Sequence, residues 1–396
     1  MNILTIGHSY VVALNRRLCR EIARAGDDEV SVTVAAPAFV TGDLRPIALE
    51  PLEGEPYELV PLPMRLTKVP QLSYYAPGAL RTLMRSRRWD VIHAWQEPYV
   101  LVGGQIAAQA SRGAALIYST FQNIPKRYPP PFAQIERYSL RRASGWTAFG
   151  RTIAEAQRDR PGCRDLPWRT IPLGVDCQTF RPDAGAGRRV RASLGWSDDG
   201  PPVAGYLGRF VPEKGLNLLM RSLDALPRGS WRALLVGSGP LESELRAWAA
   251  RYPDQARVLT GVRHGDVPPH LNAMDLLAAP SQTRPNWREQ LGRMLLEAMA
   301  SGVAVVASDS GEIPYVVGDA GRIVPEADVA SWTSALRELI EDPALRRDLC
   351  ERGLARARAV YDWPVVARQF LGFFRELRGL SQATPPSAAS LDLTRQ

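Results

Sequence analysis

Trp287-Arg288-Glu289-Gln290-Leu291-Gly292-Arg293-Met294-Leu295-Leu296-Glu297-Ala298-Met299-Ala300-Ser301-Gly302 is followed at once by Val303-Ala304-Val305-Val306-Ala307. A glycine just past a periodic apolar run is a helix stop signal, and Gly302 sits there. The β-branched run after it reads as a buried strand. A loop, a helix and a strand are therefore expected, with Glu289 at the helix mouth and Glu297 about two turns in. On one continuous helix the two carboxylates would lie about 12 Å apart along the axis, offset by roughly 80°. Such a pair can face one elongated ligand but cannot share a metal or a proton. The plain alternative is an amphipathic core helix with two solvated glutamates, because this spacing often arises by accident.

Strands and helices alternate on both sides of this stretch. Val203 to Gly208 reads as a strand, Arg209-Phe210-Val211-Pro212-Glu213-Lys214-Gly215 as a loop and 216–226 as a helix. Trp231 to Val236 is a strand that ends in Gly237-Ser238-Gly239-Pro240. Ser310-Gly311-Glu312-Ile313-Pro314 is a turn at another strand end, and helices fill about 328–341, 343–360 and 363–378. In the first half, residues 3–7 form a strand running into Gly7-His8-Ser9-Tyr10, followed by a helix over 11–25 and a strand over 30–36. Residues 37–78 read as loops with short strands, and 115–120 as a strand followed by the polar loop Phe121 to Arg127. No G-x-G-x-x-G follows the first strand, which argues against a dinucleotide fingerprint. The fold class is α/β, with two doubly wound Rossmann-like domains facing a cleft between them. Composition shifts at the Gly/Arg-rich 184–191, and the hinge is placed near 174–182. The expected domains are 1–174, 175–362, a C-terminal helix 363–380 packing back on the first domain, and a disordered tail 381–396.

The bulk numbers agree with two domains: 396 residues exceed one ordinary core, and 45% hydrophobic with 23% charged residues is a globular composition. No apolar run is long enough to span a bilayer. Met1-Asn2-Ile3-Leu4 enters a strand pattern directly, so no secretory signal is expected. The cysteines Cys19, Cys163, Cys177 and Cys350 are scattered, which fits a reducing cytoplasm better than a zinc site or disulfide framework. The net charge of +8 is uneven: residues 59–158 hold fourteen Lys/Arg against four Asp/Glu. Such a surface suits an anionic lipid face or a phosphorylated acceptor, and docking on anionic lipid would make an otherwise cytoplasmic protein peripheral at the inner face of a membrane; solvated arginine-rich faces are the plain alternative. Nucleic acid is not expected, since no recognition motif accompanies the charge.

What chemistry would sit at the strand ends? Gly208-Arg209 and Lys214-Gly215 put two cations and permissive backbone on one loop, which suits a diphosphate. The helix start after Glu289 adds free N–H groups and a positive dipole end. Glu297 could accept from ribose hydroxyls and Glu289 from a sugar, so the two bracket a nucleotide-sugar.

Gly205 to Gly215, Leu235 to Pro240 and Glu289 to Gly302, in that order and spacing, resemble the retaining family 4 glycosyltransferases of GT-B fold. Pro172-Leu173-Gly174-Val175-Asp176 with Phe180 and Pro182 resembles that family's hinge strand, and Asp362-Trp363 the start of its last helix. The resemblance implies a sugar transfer from a nucleotide-diphosphate donor to a hydroxyl acceptor, in cell-surface glycan or glycolipid synthesis. It implies that Gly208, Arg209, Lys214, Gly237, Val262, Arg263, Glu289, Gln290, Leu291, Gly292 and Glu297 bind the donor. Within that set Arg209 and Lys214 would stabilise the leaving diphosphate, Glu289 would meet the transferred sugar, and the base would lie near Val262-Arg263. The first domain would hold a sugar, lipid-linked or phosphorylated acceptor, with His8, Ser9, His93, Glu97 and Gln122 as candidates. Gly7-His8-Ser9 stands where members often carry Gly-Gly, Gln122 aligns with a frequent histidine, and Leu173 replaces a frequent hinge asparagine. No Asp-x-Asp occurs in the chain, and neither a cofactor nor an essential metal is expected. A nucleotide-sugar epimerase and a non-catalytic binding protein of the same fold are the alternatives.

Overall fold

Strand Asn2–Ile6 lies between Ser31–Pro37 and Val91–Ala94, and every pairing in its sheet is parallel. The computed structural model describes residues 1–41, 46–51 and 53–380. The expected tail 381–396 lies outside the described residues. The chain divides into two compact units, one formed by Met1–Pro172 with the segment from Val366 onward, the other by Leu173–Val365.

Among the described residues, the first unit carries a seven-stranded sheet in the order Trp168–Thr170, Gly145–Ala148, Ala115–Thr120, Val91–Ala94, Asn2–Ile6, Ser31–Pro37, Glu58–Leu62. Strand order reverses beside Asn2–Ile6, so a crevice opens at the carboxyl ends of that strand and Val91–Ala94. The second unit's six-stranded sheet runs Ala256–Leu259, Arg232–Ser238, Val203–Arg209, Leu276–Ala279, Ala304–Ser308, Arg322–Val324. Its reversal falls between Val203–Arg209 and Leu276–Ala279. Apolar residues alternate to opposite faces of this sheet: Leu277, Ala279 and Val305 join one core, Leu276, Ala278 and Val306 the other. A parallel sheet covered on both faces demands such continuous apolar strands.

Several sequence expectations move. The helix expected from residue 11 begins at Arg17, after two 3-10 turns, His8–Val11 and Ala13–Arg16. Arg16 is the cause: it is buried, and its guanidinium donates to Tyr10 O at 2.6 Å, Glu50 O at 2.5 Å and the Tyr57 hydroxyl at 3.0 Å. The Gly/Arg-rich 184–191, given no element in the sequence reading, belongs to the helix Ala184–Ser193, capped by the Asp183 carboxylate accepting from Ala186 N at 2.8 Å. Gly187 is there for close packing, since a Cβ would fall 2.0 Å from Asn272 O. Helices Arg151–Arg158 and Ile313–Val317 and strands Trp168–Thr170 and Arg322–Val324 had no counterpart in the sequence reading.

Helix Trp363–Leu380 supplies part of the first unit's core. Phe370 and Phe374 are fully buried, with ring centroids 5.6 and 5.2 Å from His93. Arg169 clamps Glu376 at 3.0 and 2.9 Å. Removing a buried aromatic ring leaves a cavity that costs about 3–5 kcal/mol. Phe374→Ala should lower the unfolding free energy by that amount, read from the shift of a urea denaturation midpoint at unchanged slope.

Candidate active site

Strand Val203–Arg209 and strand Leu276–Ala279 each end in a loop at the reversal point of the second sheet. The first loop makes the 3-10 turn Pro212–Lys214, and Gly215 then enters helix Leu216–Asp224 in a left-handed conformation. A Cβ on Gly215 would lie 1.8 Å from Pro280 O, so glycine is what allows the two loops to touch. Gln282 N donates to Glu213 O at 2.8 Å across the same junction. Lys214 is thereby carried against the second loop.

There the Lys214 ammonium forms an ion pair with Glu289 Oε2, and both residues are buried. The hydroxyl of buried Ser281 donates to the same oxygen at 3.0 Å. The Trp287 ring lies 5.2 Å from the Lys214 nitrogen, where its π-face favours a cation. Glu289 itself is fixed through its backbone: its carbonyl accepts from Glu312 N at 3.0 Å, and Gly311 has no Cβ to strike that carbonyl, which one would approach to 2.1 Å. The turn Ser310 to Glu312 therefore sets where the Glu289 carboxylate points.

Glu289 is not on the helix. Helix Arg293–Ala300 starts after Gly292, which has φ of 76°, so the continuous-helix estimate of the carboxylate separation does not apply. Gln290 is exposed, whereas Leu291 is buried in the core. Glu297 lies on the helix at 5% exposure, and among the described residues no hydrogen bond reaches its carboxylate. Burial pushes its carboxyl up to about 7, with Arg293 pulling the other way. A carboxylate so largely withdrawn from water gains from a ligand that supplies donors.

Arg209 is different in kind. It is exposed, with a 3.6 Å contact to Glu213. Gly208 and Gly237 are paired across the strands, and a Cβ on Gly237 would sit 1.8 Å from Gly208 O. The strand ends are pinched there, leaving backbone in place of side chains. Val262 is half-buried and Arg263 exposed, at the carboxyl side of strand Ala256–Leu259. The loop residue Ser281 was absent from the sequence-derived set; its position just after the apolar run Leu276 to Ala279 was the available signal.

The acceptor candidates divide. His8 and Ser9 follow the first strand, and His8 Nδ1 lies 2.6 Å from the side-chain oxygen of Gln96. Glu97 follows Val91–Ala94 and accepts from Phe121 N at 2.6 Å; its removal from water pushes its carboxyl up to about 7. Gln122 follows Ala115–Thr120, with its side-chain oxygen 3.3 Å from Ile124 N. These four therefore lie at the carboxyl edge of adjacent strands. His93 does not join them. It is buried within its strand, with Nδ1 3.1 Å from Thr5 Oγ1 and Nε2 2.7 Å from Ser119 Oγ, and burial depresses its pKa to about 3. Both ring nitrogens are used inside the core, where a neutral imidazole links neighbouring strands. Gln96, which was not among the candidates, is buried and orients His8.

Two family models match this chain, "Glycosyltransferase Family 4" over residues 11–179 and "Glycosyl transferases group 1" over residues 191–356. A phosphatidyl-myo-inositol mannosyltransferase of Mycolicibacterium smegmatis is 30% identical over 321 residues, covering 76% of this chain and 75% of the relative. A GDP-mannose-dependent monoacylated alpha-(1-6)-phosphatidylinositol monomannoside mannosyltransferase of Corynebacterium glutamicum is 33% identical over 205 residues, covering 50% of this chain and 54% of the relative. The chain spans about half the length of the first curated relatives it matches. Among solved structures, HepE of Anabaena in complex with UDP is similar at a TM-score of 0.72 and 21% identity, over 95% of this chain and all of that one. With both models matched in order along the two units, the chain belongs to the family 4 glycosyltransferases, of GT-B fold.

Proposed function

We propose that this protein transfers a sugar from a nucleoside-diphosphate sugar to a hydroxyl acceptor, with retention of anomeric configuration, in glycolipid or cell-surface glycan synthesis. The observation that carries this reading is the buried Lys214–Glu289 pair at the sheet's reversal point, one short segment ahead of a helix whose Glu297 carboxylate has no hydrogen-bond partner among the described residues. Relatives named as mannosyltransferases of phosphatidylinositol glycolipids support the class of reaction.

In this reading the donor diphosphate lies over the pinched Gly208 and Gly237 backbone, facing Arg209 and Lys214. The ribose hydroxyls donate to Glu297, the sugar meets Glu289 and the backbone at Gln290, Leu291 and Gly292, and the base rests near Val262 and Arg263. The bond from the anomeric carbon to the phosphate oxygen breaks while the acceptor oxygen bonds to that carbon on the same face. The acceptor proton passes to the departing phosphate oxygen, so no protein nucleophile or strong base is required. Arg209, Lys214 and the helix start stabilise charge where it develops. These fixed positive groups supply the role a divalent ion would otherwise fill. His8, Ser9, Glu97 and Gln122 would face the acceptor. The basic surface of the first unit would meet an anionic membrane from the cytoplasmic side, bringing lipid-linked acceptors within reach.

Replacing Lys214 or Arg209 by Ala should lower the single-turnover rate about 10²–10³-fold. Folding of each variant is checked by circular dichroism, because Lys214→Ala also leaves Glu289 buried and unpaired. Wild-type turnover should persist in excess chelator. Unchanged rates in the variants would remove the leaving-group assignment.

Donor affinity should depend on pH through Glu297. The ribose donates to the carboxylate, so binding favours the charged form and lowers the carboxyl pKa. Affinity is then complete above about pH 7 and declines as pH falls through that value. Calorimetric titration with the nucleoside diphosphate over this range tests it, and Glu297→Gln should flatten the profile.

A further inference from the structure

Four of the six exposed large hydrophobic residues among the described residues fall in one short region: Phe39 at 48% exposure, Leu66 at 57%, Val69 at 44% and Leu72 at 40%. They are not scattered. Val69 N donates to Leu66 O at 3.0 Å and Leu72 N to Val69 O at 2.9 Å, so the three recur at every third residue of successive tight turns. All three side chains reach solvent from this one short run of turns. Phe39 is tied to the same surface, because strand Phe39–Thr41 receives Thr67: the Thr67 hydroxyl oxygen lies 3.1 Å from both Thr41 N and Thr41 Oγ1.

The turn is held from beneath. Buried Ser73 donates from Oγ to Pro70 O at 2.8 Å and from its backbone to Val69 O at 3.0 Å, and Gln71 O accepts from Leu101 N at 3.0 Å. An apolar row is thus kept facing water by a well-bonded backbone. Leu66 has φ of 55°, a left-handed conformation that leucine rarely adopts. Nothing in the core requires its side chain there, since that side chain is exposed.

Charge identifies the occupant. Residues 59–89 contain six Lys/Arg and no Asp/Glu. Arg65 and Lys68 flank Leu66 within the row, both exposed and without an ion pair among the described residues. A second copy of this chain would bring the same cations face to face. An anionic bilayer presents negative headgroups to them and hydrocarbon to the leucines. We propose that the turn Leu66–Leu72, with Phe39 beside it, is a wedge that inserts into an anionic lipid surface and seats the first unit there. This rests on the proposed basic membrane face and supplies its apolar component.

Co-sedimentation of the full chain with phosphatidylcholine vesicles, and with vesicles enriched in phosphatidylglycerol, tests the wedge in the absence of donor and acceptor. Binding is therefore read independently of sugar transfer. The chain should bind the anionic vesicles and not the zwitterionic ones. Leu66→Asn/Val69→Ser/Leu72→Ser should weaken binding at least about tenfold, since each residue gives up the burial of an apolar side chain; asparagine tolerates the left-handed backbone. Arg65→Gln/Lys68→Gln should weaken it about fivefold per charge. Thermal unfolding and turnover of a soluble acceptor analogue should be unchanged in both variants. If the wild type stays in the supernatant, or the apolar variant binds as well as the wild type, the wedge is wrong. Dimerisation by light scattering that the apolar variant abolishes, with no vesicle binding, would assign the row to self-association instead.

Discussion

The ion pair between Lys214 and Glu289 is the interaction on which the proposed chemistry of the second unit depends. It joins two loops that are 75 residues apart in the chain. A buried charge without a partner is expensive, so each group stabilises the other's position. Ser281 and the Trp287 ring complete the surroundings of the pair. In the proposed reading a diphosphate would offer negative charge to Lys214 and a sugar would offer hydroxyls to Glu289, so both groups would exchange partners together. The pair would thus link recognition of the two halves of the donor.

Glycines make this geometry possible at a few defined points. Gly215 lets the two loops press together, Gly311 admits the Glu289 carbonyl, and Gly237 admits that of Gly208. Each is a place where a Cβ would strike backbone, which cannot move aside as a side chain end can. The second unit therefore presents rigid peptide groups and a few charged side chains at the reversal point of its sheet. The first unit follows the same plan with different residues: His8, Gln96, Glu97 and Gln122 gather where its own strand order reverses.

Much of the arrangement was legible in the chain because parallel strands are apolar throughout and helices carry stop signals. The Ala115–Thr120 strand and the Val329–Glu341 helix stand where periodicity predicts them. Legibility failed where a long-range contact overrides local pattern. Arg16, a surface residue by type, is buried and shapes the turns before Arg17. Gly187 stood out only as part of a composition shift, but it serves helix packing. His93 looked available at a strand end, yet the register turns it into the core beneath Phe370 and Phe374, residues far along the chain. Similarly, Glu289 appeared to share a helix with Glu297, and the left-handed Gly292 separates them. The ion pair itself could not be read locally, since neither loop signals its partner.

If Lys214 and Glu289 act on one donor as a unit, their removal cannot be independent. A double-mutant cycle of Lys214→Ala, Glu289→Gln and the double variant, scored by single-turnover transfer, measures this most directly. The double variant should be little slower than the slower single variant, a coupling of at least about 1 kcal/mol. Rate losses that multiply in the double variant would contradict the account.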